Sequence, residues 1–197
     1  MDETNARFLK ATTTSIEKHS QTAKDAVGPL TLTQINWQPN PKVWSVGVVL
    51  NHLIVTNRSY LPVLKEIASG TYKMSFWARW SPFSQTLGRT MVKNLGPNPK
   101  RKYSSPPAFR PTLSKCDENI LQQFLDSQQE LLETMRKLES IDLGKIKIPS
   151  PASSFLTYSV WHAIRIIDVH EARHMQQISN LMGLPGYPTA NLVSPAE

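Results

Sequence analysis

One segment near the end of the chain constrains the fold more than any other, because its inward-facing residues recur at helical spacing. Alternating steps of three and four residues select Val160, Ala163, Ile167, His170, His174, Gln177 and Leu181. Such a stripe is the inward face of a helix that packs against other helices. It is apolar at both ends but polar in the middle, where a buried group without a partner would cost roughly 1–3 kcal/mol. The segment therefore predicts a helical bundle with a polar site in its interior.

His170 and His174 lie four residues apart, which places both imidazoles one turn apart on one helix face. Two imidazoles in that arrangement can bind a single metal ion, and the ion would satisfy their buried nitrogens. The alternative is a pair of core histidines, each satisfied by an ordinary hydrogen bond. Gln177 is predicted to line the same pocket or to brace a histidine. His162 falls off the stripe and is predicted to lie on the surface or in a groove.

Three further stretches have helical character, and the chain is therefore predicted to be all-α, folded as a four-helix bundle. Ser45 or Asn40 is expected to cap helix two, and Gly70 to end it. Helix three is expected to begin with a capping box formed by Ser114 and Asp117. The four helices are predicted at residues 3–26, at 44–69, from the cap at 114 to about 140, and at 154–182.

Residues 70–113 are predicted to form a long crossover between helices two and three. The stretch is rich in proline and aromatic residues, and its length suits a connection along the outside of a bundle, with a short helix near 84–94. Pro62 lies inside helix two and is expected to kink or split it. No strand-like alternation is strong enough to predict a sheet.

The composition limits the protein to a few classes. A chain of 197 residues, 40% of them hydrophobic, is predicted to form one domain over residues 1–197, with a C-terminal tail at 184–197. The single Cys116 excludes an internal disulfide and a cysteine-based zinc site, so any metal ligands are His, Asp or Glu. The first residues lack the apolar core of a secretory signal, and no apolar run approaches the roughly 20 residues that cross a bilayer. A cytoplasmic protein without a membrane partner is expected.

The net charge of +7 raises the question of a nucleic-acid partner. Basic residues cluster in a stretch rich in proline and glycine, at Arg89, Lys93, Lys100, Arg101 and Lys102. No recognition helix or RNA-binding motif accompanies them. They are interpreted as a solvated basic loop, and no nucleic-acid partner is predicted.

A third metal ligand has to come from the remaining histidines. His52 lies in the middle of the most apolar part of helix two, and a bundle brings that helix against helix four. An imidazole in such surroundings needs a polar partner. His52 is therefore the predicted third ligand, with His19 of helix one as the second candidate.

Three sequence motifs together resemble those of a known family. They are Trp37-x-Pro39, the run Trp44-Ser-Val-Gly-Val-Val-Leu-Asn-His52-Leu and the run His170-Glu-Ala-Arg-His174-Met-Gln-Gln-Ile. The chain resembles the DinB-like superfamily, which includes the YfiT-type metal-dependent hydrolases. The resemblance implies a four-helix bundle with a long crossover. It also implies a divalent metal ion, zinc or nickel, on three histidines that correspond to His52, His170 and His174.

The resemblance further implies a metal-dependent hydrolase, or a transferase of low-molecular-weight thiols such as bacillithiol or mycothiol. Zinc on three imidazoles lowers the pKa of bound water to about 7 and deprotonates a bound thiol, so the site is compatible with either chemistry. A small-molecule substrate is expected. The alternative is a non-catalytic, stress-related bundle protein with a structural or vestigial metal site. A homodimer is also expected, since bundles of this size often pair through an exposed helix face.

The run from His170 to His174 also fits the H-E-x-x-H pattern of metalloproteases, in which Glu171 would be the general base. Against that reading, positions 177 and 180 are Gln and Asn, so no further histidine follows at metzincin spacing. The surface alternative for Glu171 is an ion pair with Arg173 or with a lysine. Asn51, Asp168 and Glu171 are near enough in sequence to orient a ligand histidine.

Overall fold

The computed structural model describes residues 3–97 and 105–189. Its elements, in chain order, are α1 (Glu3–Val27), α2 (Leu32–Asn36), α3 (Val46–Ala68), α4 (Phe76–Trp80), α5 (Ser84–Leu95), a 3-10 turn (Pro107–Phe109), α6 (Ile120–Arg136), β1 (Lys147–Ser150), β2 (Ser153–Ser159) and α7 (Val160–Met182). The protein is mostly helical with one small hairpin, and the predicted all-α class is confirmed. Within the described ranges, no helix is long and apolar enough to cross a membrane.

The four long helices, α1, α3, α6 and α7, enclose the core and correspond to the four predicted helices. Both α1 and α3 pack against α6 and against α7. One group of buried apolar side chains includes Tyr60, Leu131 and Ile164, and a second includes Phe124 and Ile178. Each group draws on at least three helices, so no helix buries its apolar face alone.

Helix α3 begins and ends where local sequence signals predict. The Ser45 hydroxyl accepts the backbone N–H three residues further on, and Gly70 follows the helix with a left-handed φ of +73°. Of the predicted kink or split at Pro62, the split is wrong, because the helix is continuous across this residue. Leu61 and Leu64 are buried beside this proline, and their packing offsets the hydrogen bond that proline cannot donate.

Helix α6 is shorter than predicted at both ends. It begins at Ile120, and the preceding Asn119 makes no side-chain cap, so the predicted capping box is wrong. The Asp117 carboxylate instead accepts the N–H of Asn119, two residues on, in a local turn. The helix ends at Arg136, and the residues up to 140 form turns rather than a further helical turn.

The predicted start of helix four at residue 154 is also wrong, because β1 and β2 form an antiparallel hairpin there. Ile148 pairs with Tyr158 in this hairpin, and the register shifts beside Pro149. Prolines at 149 and 151 disfavour a helix, and the β-branched and aromatic residues of β2 favour a strand. Helix α7 then begins at Val160, with the Ser159 hydroxyl as its cap.

The crossover contains the predicted short helix, α5, which packs against α7 and β2, and the further helix α4. A Cβ at Gly88 of α5 would lie 2.4 Å from Cγ of His162, so only glycine allows this close approach. His162 is 4% exposed, bonds through Nδ1 to Ser159 and lines a groove beside α5, so of the two predicted positions the groove is confirmed and the open surface is wrong. Of the basic cluster, Lys100, Arg101 and Lys102 lie outside the described residues.

Candidate metal centre

Three histidines from two helices converge between α3 and α7. The Nε2 atom of His170 lies 3.2 Å from Nε2 of His52 and 3.1 Å from Nε2 of His174. One ring nitrogen from each residue lies within 4.8 Å of the others, and among the described residues this is the group of His, Cys, Asp or Glu side chains that could hold a metal ion. The predicted convergence of these rings is therefore present, and the cluster is compatible with a metal-binding site.

Two of the rings are fixed in the tautomer that a metal ligand needs. Nδ1 of His52 lies 2.5 Å from the carbonyl oxygen of Phe109, and Nδ1 of His174 lies 2.9 Å from Oε1 of Gln177. Both oxygens can only accept, so each Nδ1 carries the proton and each Nε2 presents a lone pair. The predicted bracing of a histidine by Gln177 is confirmed. The Phe109 carbonyl could not be predicted, because a backbone oxygen leaves no residue-type signal.

Adjacent residues of α3 hold the crossover against the site. Asn51 Oδ1 accepts the backbone N–H groups of Thr112 and Leu113, at 2.7 and 3.2 Å. His52, the next residue, binds the Phe109 carbonyl. The sequence suggested that Asn51 could orient a ligand histidine, but it binds none of the three directly. It fixes the crossover segment whose carbonyl orients His52.

The third ring, His170, lacks the partners that the other two have. Its Nδ1 is buried and has no hydrogen-bond partner among the described residues, and its Nε2 faces the Nε2 atoms of His52 and His174. The Nε2 atoms of His52 and His174 carry no proton, so among the three facing Nε2 atoms only that of His170 can carry a hydrogen and donate it. A divalent ion accepts all three lone pairs. Two zinc–nitrogen bonds of about 2.0–2.1 Å at a tetrahedral angle separate the nitrogens by about 3.3 Å. The Nε2 atom of His170 lies at close to this distance from each of the other two.

Burial keeps the three imidazoles neutral. The pKa of His174 falls to about 3, because burial disfavours the imidazolium and because His52 and Arg173 add repulsion. The pKa values of His52 and His170 are lowered as well, again mainly by burial. Neutral imidazole is the form that binds a metal ion. The residues present therefore fit a divalent metal ion on both geometric and electrostatic grounds.

Trp44 and Arg173 lie beside the cluster. The indole of Trp44 has its ring centroid 5.0 Å from that of His52 and 6.4 Å from that of His174, and the second pair is stacked. The charge of Arg173 contributes to the lowered pKa of all three histidines. Among the described residues Arg173 forms no ion pair, so the predicted surface pair with Glu171 is wrong.

Glu171 points away from solvent into a buried polar network. It is 1% exposed, and its two oxygens accept from Nδ2 of Asn57 at 3.1 Å and from Nε2 of Gln128 at 2.9 Å. These partners come from α3 and α6, so the network ties three helices together. Both oxygens are engaged, and this geometry gives no support to a metalloprotease base at this position.

His19, the second candidate ligand, lies in a separate cluster. Its Nε2 is 3.2 Å from Oδ1 of Asp168, and the same carboxylate accepts from the Ser15 hydroxyl at 2.6 Å and pairs with Arg165. Burial opposes ionisation of Asp168, but the hydrogen bonds from His19 and Ser15 and the charge of Arg165 lower its pKa overall. Asp168 thus joins α1 to α7 and orients none of the three convergent histidines.

The buried carboxyl of Glu171 should make stability depend on pH. Burial raises its pKa from 4.5 to about 7, so between these values the folded protein keeps a proton that the unfolded chain has released. We therefore expect the free energy of unfolding of chelator-treated protein to fall as the pH rises through this window. Glu171→Gln should remove this contribution, which is about 1.4 kcal/mol for each unit of pKa shift.

Urea denaturation of both proteins across that pH window measures the effect. Glu130→Gln is the matched control, since this carboxylate is exposed and pairs with Lys65. The control should keep the slope of the unaltered protein. A slope that Glu171→Gln leaves unchanged would show that this carboxyl is ionised throughout.

The comparison with known families agrees with the resemblance. A model of the DinB superfamily matches residues 15–178, a range that includes all three histidines. The match covers most of the chain, and the chain therefore belongs to the DinB superfamily. No curated protein and no solved structure matches it.

Proposed function

We propose that His52, His170 and His174 together bind one divalent metal ion, zinc or nickel, and that the site activates a low-molecular-weight thiol for transfer to a small electrophile. The observation that carries this proposal is the convergence of three Nε2 atoms, two of them fixed as lone-pair donors by Nδ1 hydrogen bonds. Three imidazole ligands leave coordination positions open for a further group. When bound, the ion would supply positive charge that deprotonates a thiol.

The surroundings of the cluster favour thiol transfer over hydrolysis. Hydrolysis at a metal site commonly uses a carboxylate as general base. The two acidic residues nearest in sequence are both engaged: Glu171 accepts from two amides, and Asp168 binds Ser15, His19 and Arg165. Zinc-bound water with a pKa of about 7 is only about half ionised at neutral pH, whereas a bound thiol is deprotonated outright, so thiol transfer depends less on such a base. The His52–Phe109 and His174–Gln177 hydrogen bonds would hold the two rings in place during the reaction.

A conjugation assay tests the proposal. Protein loaded with zinc or with nickel is mixed with a haloalkane electrophile and, in turn, with cysteine, glutathione, bacillithiol and mycothiol. We expect conjugation with at least one thiol that is lost after chelation and in His170→Ala. Metal-dependent cleavage of esters or amides without any thiol would favour the hydrolase. No turnover in either assay, with metal bound, would favour the non-catalytic alternative.

Gln177 gives a prediction about affinity for the metal. Gln177→Leu should weaken binding by about 10–100-fold, because a hydrogen-bond partner outside the ligand set fixes the tautomer and basicity of its histidine. Gln176→Leu is the matched control, since the neighbouring amide bonds to Asn180 on the exposed side of α7. Competition against a metallochromic chelator measures both variants. Equal affinity for the two would mean that the His174–Gln177 hydrogen bond contributes nothing.

A further inference from the structure

Five aromatic side chains lie exposed where α4 and the loop that follows it (residues 81–83) meet the hairpin. The exposed fractions are 78% for Phe76, 59% for Trp77, 70% for Trp80, 74% for Phe83 and 77% for Phe155. We call these five residues the aromatic surface. Large exposed apolar side chains grouped in this way mark sites that contact another protein or a membrane. None of them is needed for the metal centre described above.

The aromatic surface is held in place by hydrogen bonds between the crossover and the hairpin. The indole N–H of Trp77 donates to the carbonyl of Phe155 at 3.3 Å. The ammonium of Lys147 donates to the carbonyl of Ser81 at 3.0 Å, just beyond the end of α4. The hydroxyls of Ser84 and Thr157 lie 2.7 Å apart in a buried contact. The rings are therefore presented on a preformed scaffold.

The chain segment that carries most of this surface contains charged residues of one sign. Residues 70–113 contain eight of the 22 basic residues and none of the 15 acidic ones, so the rest of the chain carries 14 basic against 15 acidic residues. The hairpin segment 143–159 adds Lys147 and Lys145, of which Lys145 pairs with Asp142 at 2.9 Å. The net positive charge of the protein therefore comes from the segment that carries four of the five exposed rings.

We propose that the aromatic surface docks on an anionic lipid bilayer. Tryptophan and phenylalanine partition into the interface between headgroups and acyl chains, and basic residues around them are attracted to anionic lipids. A second copy of this chain fits less well, because a symmetric contact would place like charges opposite each other. The surface would hold the protein on the membrane without crossing it. Lipid contact at this segment differs from the solvated basic loop and from the lack of a membrane partner that the sequence predicts.

A cavity beside α4 supplies a place for a lipid headgroup. It measures about 540 Å³, and Lys73 and Arg79 line it together with apolar side chains that include Ile67, Met74 and Ile146. Among the described residues neither cation forms an ion pair. Two unpaired cations over an apolar floor suit a phosphate group attached to an acyl chain. Arg79, which lines the cavity, belongs to the same short helix as Phe76 and Trp77, so one lipid could contact both features.

Vesicle flotation with full-length protein tests the proposal. Vesicles of phosphatidylcholine alone are compared with vesicles that also contain phosphatidylserine. We expect the unaltered protein to bind only the anionic vesicles. The affinity for these vesicles should fall at least tenfold in Trp80→Ser/Phe83→Ser. Arg89→Glu/Lys93→Glu should also weaken binding to the anionic vesicles. The matched control is Leu32→Ser/Leu184→Ser, which removes exposed apolar side chains elsewhere and should bind like the unaltered protein.

Circular dichroism of each variant checks that the fold is intact, as expected for substitutions of exposed side chains. Three results would overturn the proposal. One is equal binding to neutral and anionic vesicles, or none to either. Another is binding to a single-stranded oligonucleotide that is tighter than binding to anionic vesicles and is lost in Trp80→Ser/Phe83→Ser. That result would assign the surface to nucleic acid. The third is self-association of the unaltered protein that the same variant abolishes.

Discussion

Replacing His52 by alanine is expected to abolish stoichiometric metal binding. The substitution removes one of three convergent nitrogens and also frees the Phe109 carbonyl that orients it. Loss of a partner outside the ligand set already weakens metal sites by about 10–100-fold, so loss of a ligand should exceed about 100-fold. The measurement is metal content by mass spectrometry, on protein expressed without an affinity tag and dialysed against buffer free of chelator.

His19→Ala is the matched control for that experiment. His19 is the other candidate ligand, but the structure places it with Asp168 and Ser15 rather than with the three convergent rings. Its substitution should leave the metal content unchanged. Metal retained in His52→Ala and lost in His19→Ala would transfer the site to the Asp168 cluster and contradict the assignment.

Replacing Phe124 by alanine is expected to destabilise the fold severely. The ring is fully buried in the group of side chains that joins α6 to its neighbours. Truncating a buried phenylalanine removes its packing and leaves a cavity, with a typical loss of about 3–5 kcal/mol. Urea denaturation followed by circular dichroism measures the free energy of unfolding.

Phe155→Ala gives the same chemical change at an exposed position. That ring is 77% exposed at the hairpin, and its removal should change the free energy of unfolding by no more than about 0.5 kcal/mol. The two variants together separate burial from the loss of a phenyl group. Similar losses in both would mean that α6 is not a core helix of the bundle.

Periodicity was sufficient to predict that the four long helices exist, while the residues that begin and end helices correctly placed both ends of α3 but not the start of α6 or α7. The stripe that includes His170 and His174 predicts α7, and Ser45 and Gly70 predict the two ends of α3. These signals are local, and they agree with the packing that the complete chain imposes. The convergence of His52 on the other two rings followed from one further assumption, that helices two and four are neighbours.

Other features could not be predicted because they depend on contacts between distant segments. The burial of His162 requires α5 to lie on α7 at Gly88, which no pattern within α7 reveals. The network around Glu171 requires amides from α3 and α6. The hairpin could not be predicted because its burial alternates over only four residues of β1 and is irregular in β2. Tertiary contacts decided the first two outcomes, whereas the hairpin pairs neighbouring segments and was missed because its alternation is short and irregular.

The central claim is that the three convergent imidazoles bind one divalent ion. X-ray absorption spectroscopy at the zinc and nickel edges, on protein purified without chelator or affinity nickel, tests it most directly. We expect one ion per chain with three imidazole nitrogens in its first coordination shell, at about 2.0–2.1 Å for zinc, and loss of that signal in His52→Ala. Protein without bound metal after loading with zinc and with nickel, or an ion whose ligands are unchanged in His52→Ala, would contradict the claim.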